Sequence, residues 1–269
     1  GSVRTIRRLR SIGFIAALDL FYNPRSAMLL FLSGIPIRVG GNRRWRRSLY
    51  TETFSVPRDI RSALSHHLFP LGIFGADTSE DLPHMYLRES ERDRGAEVIE
   101  RTVGRYNGNR PIIAFHPGGT WPSKRWAPES FARLAIKLKK QFDAVILIIA
   151  GSGEEAIGKA VRDKAGGDVF ILPLQPIRTL ASVLDHCAAV VANDGGVLHL
   201  TVGLGRPVVG IFGPTEPDIW FPYEGKGPFV LVTLNESCAP CHHHYCEDMR
   251  CLSGIEPDRV LSKVEELLG

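Results

Sequence analysis

The stretch Ile112-Ile113-Ala114-Phe115-His116-Pro117-Gly118-Gly119-Thr120 decides the fold. A short, continuously apolar run passes straight into a Pro-Gly-Gly turn. Two later stretches repeat the pattern: Ala189–Ala192 leads into Asn193-Asp194-Gly195-Gly196, and Pro207–Ile211 into Phe212-Gly213-Pro214-Thr215. Runs apolar at every position are buried strands of a parallel sheet, because such strands are covered on both faces. In an open α/β sheet ligands sit beyond the carboxyl ends of the strands. Three glycine turns at one sheet edge therefore predict one composite pocket. There, backbone N–H groups can approach a phosphate closely and a following helix adds its positive end.

Around these runs the alternation of strand and helix is regular. Strands are expected at Ala144–Ala150 and Val169–Leu172. Helices are expected over Pro128–Gln141, from Glu154 to about Ala165, over Ile177–His186 and over Val197–Leu204. Short connections between them imply right-handed crossovers. This places a Rossmann-like domain at 108–253, closed by a C-terminal helix within 254–269 (Pro257–Leu268, with Pro in its first turn). Residues 1–107 form a partial α/β domain: strands at Phe14–Leu20 and Ile37–Gly40, helices at Pro24–Leu32, Ile60–Leu71 and Glu89–Tyr106, and a linker at 107–111.

An apolar fraction of 44% and a charged fraction of 23% are those of a globular domain. No apolar run approaches the roughly 18 residues that span a bilayer, and no secretory h-region is visible, which points to the cytoplasm. The net charge of +4 is unevenly placed. Residues 1–60 hold 11 Arg against 3 acidic residues, and the remainder 22 basic against 26 acidic. The cluster Arg43-Arg44-Trp45-Arg46-Arg47 suits an anionic lipid or membrane surface, or a solvated basic loop. A nucleic-acid reading would need steeply salt-dependent binding and has no accompanying motif.

Several residues carry candidate chemistry. Gly118, Gly119 and Thr120 can donate to phosphate, with Lys124 as a point charge nearby. The spacing is not that of a Walker loop, and Gly151-Ser152-Gly153 lacks the third glycine of G-x-G-x-x-G at its proper place. Asp194, the Gly195 and Gly196 amides and His199 can face one point, although Asp194 also suits an N-cap and His199 a satisfied core histidine. Glu154 follows a strand and can hold ribose hydroxyls or favour its helix dipole. Cys238, Cys241, Cys246 and Cys251 have the spacing C-x₂-C-x₄-C-x₄-C, open to a structural zinc site, an iron–sulfur site or reduced or partly disulfide-linked structural cysteines. Cys187, alone in a helical pattern, reads as core.

These motifs together resemble the glycosyltransferase family 9 heptosyltransferases. The resemblance lies in His116–Thr120, Lys124-Arg125-Trp126, Pro128-Glu129, Asn193–Gly196 with His199, and Phe212–Thr215. The cysteine segment and Leu18-Asp19-Leu20, Asn23 and Arg25-Ser26 add to it. It implies a GT-B architecture of two Rossmann-like domains with parallel sheets, the N-terminal one incomplete. It further implies an inverting transfer of heptose from an ADP-heptose-type donor to a lipopolysaccharide core or related anionic glycolipid. The enzyme would need no cofactor and would act in the cytoplasm, with peripheral contact at the inner membrane face. By the family motifs, Thr120 and Lys124 contact phosphate, Glu154 the ribose, Gln175 the adenine, and Asp194, Gly195, Gly196 and His199 the diphosphate and heptose. Lys124, Asp194 and His199 form the catalytic set, while the general base belongs to an N-terminal strand and loop not seen in this sequence. Many relatives carry a hydroxyl residue where Gly195 stands, a change bearing on the donor sugar. Two alternatives follow: a catalytically silent nucleotide-sugar-binding protein, or a GT-B enzyme of another sugar specificity.

Overall fold

The computed structural model describes residues 1–79, 82–104 and 108–269. Tyr106, the expected end of one helix, and Asn107, the expected start of the linker, lie outside the described residues. The chain divides into two compact units, Gly1–Glu80 and Asp81–Gly269.

The first unit runs α1 (Ser2–Ile12), β1 (Ala16–Leu18), α2 (Pro24–Ser33), β2 (Ile37–Gly41), β3 (Glu52–Phe54) and α3 (Ala63–Leu68). Its three strands are parallel in the order β1-β2-β3, with Ala16 opposite Ile37 and Val39 opposite Glu52. The strand expected over Phe14–Leu20 shrinks to Ala16–Leu18 because Asp19 turns the chain. Its Oδ1 accepts from Phe21 N (3.0 Å), and its Oδ2 from Ser26 Oγ (2.7 Å) and Tyr50 Oη (2.7 Å). α2 begins where sequence chemistry says it should: Asn23 accepts from Ser26 N, Pro24 follows, and Gly34 ends the helix in the left-handed region. The helix expected over Ile60–Leu71 is α3 alone, since Pro70 carries the chain into a 3₁₀ turn, Phe69–Phe74. α1 and β3 were not anticipated.

The second unit runs α4 (Glu89–Val103), β4 (Ile112–His116), α5 (Pro128–Phe142), β5 (Val145–Ile149), α6 (Glu155–Ala165), β6 (Val169–Leu172) and α7 (Ile177–Asp185). It continues with β7 (Ala189–Asn193), α8 (Gly196–Gly203), β8 (Val208–Ile211), α9 (Pro217–Trp220), β9 (Phe229–Val232), α10 (Arg250–Ser253) and α11 (Pro257–Leu268). The six strands form one parallel sheet in the order β6-β5-β4-β7-β8-β9. β4, β5 and β7 are buried at every residue, as continuous apolar runs require. β9 extends the sheet by one strand beyond the expected set.

α4, which the sequence reading grouped with residues 1–107, packs on α7 inside the second unit. The cause is polar as well as apolar: Arg92 Nε meets Asp185 Oδ2 at 2.8 Å, and Arg178 grips the Glu91 carboxylate in bidentate fashion. Likewise α11 packs against α5 and belongs to the same unit. Among the described residues no helix is long and apolar enough to cross a membrane.

The core of this unit is anchored by Trp126, fully buried against Phe131 (ring centroids 5.0 Å apart), with its indole N–H donating to Ile255 O at 3.0 Å. Trp126 also fixes the entry to α5 beneath the first glycine turn. Trp126→Ala leaves both a cavity and an unpaired carbonyl. It is expected to cost about 3–5 kcal/mol in urea unfolding; a loss below about 1 kcal/mol would show that the indole does not anchor the core.

Candidate functional site

β4 and β7 are neighbours in the sheet, but the chain leaves them in opposite directions, from β4 towards β5 and from β7 towards β8. This is a topological switch point, where the loops at the carboxyl ends part and leave a crevice. The register sets His116 opposite Ala192, so the first turn starts beside Asn193. Asn193 is completely buried and ties the two turns together. Its Nδ2 donates to Pro117 O (2.9 Å) and Gly118 O (3.0 Å), and its Oδ1 accepts from Trp126 N (3.1 Å). Sequence reasoning quoted Asn193 without giving it a role. The available signal was an amide closing a buried strand, where every donor and acceptor must find a partner.

A cavity of about 420 Å³ opens in this crevice, lined in part by His116, Gly119, Thr120, Glu154, Gln175, Gly195 and Gly196. The first turn, the loop after β5, the loop after β6 and the start of α8 thus meet at one place. Thr120 is exposed at the rim, and Gln175 is held by a hydrogen bond from Nε2 to Pro173 O (3.0 Å). Gly195 is extended and precedes α8, whose first amides face the crevice.

Glu154 is the best-anchored of these groups. Its Oε1 accepts from Gly119 N (2.7 Å) and its Oε2 from Gly151 N (2.8 Å), with His116 Nε2 at 3.5 Å from Oε2. The adjacent His116 ring is the largest cause and, together with the two backbone N–H groups, outweighs burial and holds the carboxyl down to about 2. Gly119 therefore spends its N–H on Glu154. Gly118 is glycine for a steric reason: a Cβ there would lie 2.0 Å from Glu154 Oε2. His116 is buried, and its Nδ1 has no hydrogen-bond partner.

Deeper in the site lies an ion pair. Lys124 Nζ meets Asp194 Oδ2 at 2.6 Å, the two side chains being 15% and 5% exposed. The same Oδ2 accepts from Thr215 Oγ1 at 2.6 Å, so the third glycine turn supplies a second partner for Asp194. The Lys124 ammonium also sits over the Trp121 ring, 4.4 Å from its centroid. Thr215 was quoted in the third glycine turn without a role, because its partner Asp194 lies 21 residues away, and Trp121 was missed although it stands close to Lys124 in the chain. His199, on the first turn of α8, faces Tyr223 Oη with its Nδ1 (3.3 Å) and does not line the cavity. Burial lowers its pKa, outweighing the opposing effect of the nearby Asp194 carboxylate.

Among the described residues, no group of three or more His, Cys, Asp and Glu is placed to hold a metal ion. Cys238 and Cys246 are exposed, whereas Cys251 is buried where α10 begins, its thiol pKa raised by burial and then by the neighbouring thiols of Cys238, Cys241 and Cys246. Cys187 is core as expected, its thiol pushed up to about 12 by burial.

The Glu154 anchor gives two expected outcomes. Gly118→Ala forces the flexible end of Glu154 out of its two N–H contacts and costs about 1–3 kcal/mol of stability; an unchanged urea midpoint would mean that the carboxylate is not held there. A carboxyl lowered from 4.5 to about 2 stabilises the folded state above pH 4.5 and loses that contribution as pH falls towards 2. The stability difference between the parent protein and Glu154→Gln is therefore expected to be constant at neutral pH and to shrink below about pH 4.5. A difference that persists at pH 2 would contradict the assignment.

Comparison with known proteins places this geometry. Lipooligosaccharide heptosyltransferase 2 of Haemophilus influenzae is 31% identical over 174 residues, 60% of this chain and 49% of the relative, so the chain spans about half the length of that protein. Lipopolysaccharide heptosyltransferase 2 of Escherichia coli K12 is 26% identical over 259 residues, 91% of this chain and 72% of the relative. In fold, the chain resembles the glycosyltransferase family 9 protein of Veillonella parvula (TM-score 0.81, 23% identity, 99% of this chain and 78% of that one). It also resembles the ADP-heptose lipopolysaccharide heptosyltransferase II of E. coli (TM-score 0.78, 21% identity, 99% and 80%). The α/β fold with parallel sheets is thus the GT-B class expected from the sequence. The model of glycosyltransferase family 9 (heptosyltransferase) matches residues 2–251, and the chain belongs to that family.

Proposed function

We propose that this chain is a heptosyltransferase that carries heptose from an ADP-heptose donor to a lipopolysaccharide core. One observation carries the reading: the first glycine turn, Glu154, Gln175 and Gly195-Gly196 line a single cavity at the switch point between β4 and β7, beside the Lys124–Asp194 pair. The diphosphate lies against the Thr120 side of the turn and the start of α8, where N–H groups and the helix end favour anions. Glu154 keeps lone pairs beyond its two backbone contacts and accepts the ribose hydroxyls. Gln175 borders the adenine, and Gly195 and Gly196, with Asp194 just before them, border the diphosphate and heptose; His199 stands behind them on α8.

The reaction is an inverting displacement. An acceptor hydroxyl attacks the anomeric carbon as it passes its proton to a general base, the bond to the donor oxygen breaks, and ADP leaves with the electron pair. Lys124 meets the charge that develops on the departing diphosphate. Its buried counter-ion Asp194 keeps the ammonium in place beforehand, so little reorganisation is needed. No cofactor takes part in this scheme.

The acceptor is an anionic glycolipid. In the first unit, Arg43, Arg44, Trp45 and Arg46 line a cavity of about 550 Å³, and Arg46 Nη1 donates to Tyr22 O at 2.6 Å. Arginine beside an exposed aromatic suits phosphorylated sugars at a membrane surface. The protein accordingly works in the cytoplasm, in peripheral contact with the inner face of the membrane, and has no nucleic-acid partner.

The test is transfer from ADP-heptose to a heptose-deficient lipopolysaccharide core, with ADP binding followed by calorimetry. Lys124→Ala is expected to lower kcat by about 10²–10³-fold, the cost of losing one preorganised charge donor, with the circular dichroism unchanged. Full turnover in this variant, or failure of the parent protein to bind ADP, would contradict the site.

A further inference from the structure

The Cys- and His-rich segment from Cys238 to Cys251 holds no metal-ligand set and lies outside the cavity, yet it is fastened to the two turns that hold the ion pair. On one side, Cys241 N and His242 N both donate to Pro214 O (3.0 Å each), next to Thr215, the partner of Asp194. On the other, Ser123, itself buried and adjacent to Lys124, donates through N to His244 O (3.2 Å) and through Oγ to His243 O (2.5 Å). Between these anchors the His244 ring stacks on Trp121, with centroids 4.0 Å apart and planes 23° apart. Trp121 in turn carries the Lys124 ammonium on its ring at 4.4 Å, and Lys124 reaches Asp194.

We propose that His244 is a positioning residue for Lys124, acting through Trp121, and that the Cys/His-rich segment belongs to the support of the donor site. The role of Lys124 towards phosphate rests on the function proposed above; the positioning itself does not. A lysine side chain has many rotamers, and an ammonium held at one point needs partners that are themselves fixed. The Asp194 carboxylate is fixed by Thr215 and by burial. The Trp121 ring is only half-buried, and the stacked imidazole supplies the flat surface that sets its orientation. His244 is thus placed by backbone bonds, Trp121 by His244, and Lys124 by Trp121 and Asp194.

The experiment combines a readout of Lys124 itself with one of its proposed use. In protein labelled with ¹³C-lysine, the Lys124 ε-methylene signal, assigned by its loss in Lys124→Arg, should be shifted upfield by the Trp121 ring. His244→Ala is expected to collapse that shift and to weaken ADP binding roughly 3- to 30-fold, the span of a cation–π contact between exposed and desolvated settings. His244→Phe, which keeps a flat ring, should retain both. Trp121→Leu should reproduce both losses, and adding His244→Ala to it should cost nothing further. An unchanged Lys124 signal in His244→Ala, or an additive loss in the double variant, would overturn the proposal. A collapsed shift in a protein that does not bind ADP would uphold the positioning and count against the nucleotide reading instead.

Discussion

The second unit depends on one buried side-chain amide. Asn193 closes β7 and binds the carbonyls of Pro117 and Gly118 with one end and the Trp126 amide with the other. These partners lie at the start and end of the turn that follows β4. A parallel sheet holds β4 and β7 side by side by its ladder, but the ladder stops where the loops begin. Beyond that point the two turns would be free to separate, because their chains run to opposite sides of the sheet. In a site without water, each of the three bonds is costly to lose, so the amide fixes the shape of the crevice as well as its stability.

Charge is arranged around this fixed point in two separate places. Glu154 is neutralised by backbone N–H groups and by the neighbouring histidine, at the cavity wall. Lys124 is neutralised by Asp194, beside the cavity. Keeping the carboxylate and the ammonium with different partners prevents them from cancelling each other and leaves the site able to meet a ligand with hydroxyl groups at one end and phosphates at the other. Buried ion pairs contribute little net stability when set against an apolar alternative. The Lys124–Asp194 pair therefore makes better sense as stored electrostatic organisation than as a device for holding the fold.

Much of this was legible in the sequence, for identifiable reasons. β4, β5 and β7 are central strands, and their unbroken apolar runs leave no other reading; the glycine turns after β4, β7 and β8 stood out because nothing else ends such strands so abruptly. Gly118 and Gly195 were thereby brought to one sheet edge; Glu154 was legible from its place after β5, and Gln175 only through the family resemblance. Where elements are short the signal fades: β3 has three residues, too few for a period, and β1 is cut by the hydrogen bonds of Asp19. The grouping of α4 turned on Arg92–Asp185 and Arg178–Glu91, pairs that no local pattern announces. The cysteine spacing left a metal open, but spacing does not show that Cys251 is buried while Cys238 and Cys246 are exposed. The His244–Trp121 stack was invisible for the same reason, since its members belong to segments far apart in the chain.

The central claim is that the crevice between β4 and β7 receives a nucleoside diphosphate, with Lys124 on its phosphates. A crystal structure of the protein with ADP tests it most directly. The account predicts the diphosphate between the first glycine turn and the start of α8, the ribose hydroxyls on Glu154, and the Lys124 ammonium within hydrogen-bond reach of a phosphate oxygen. ADP bound elsewhere, with Glu154 and the Lys124–Asp194 pair untouched, would contradict it.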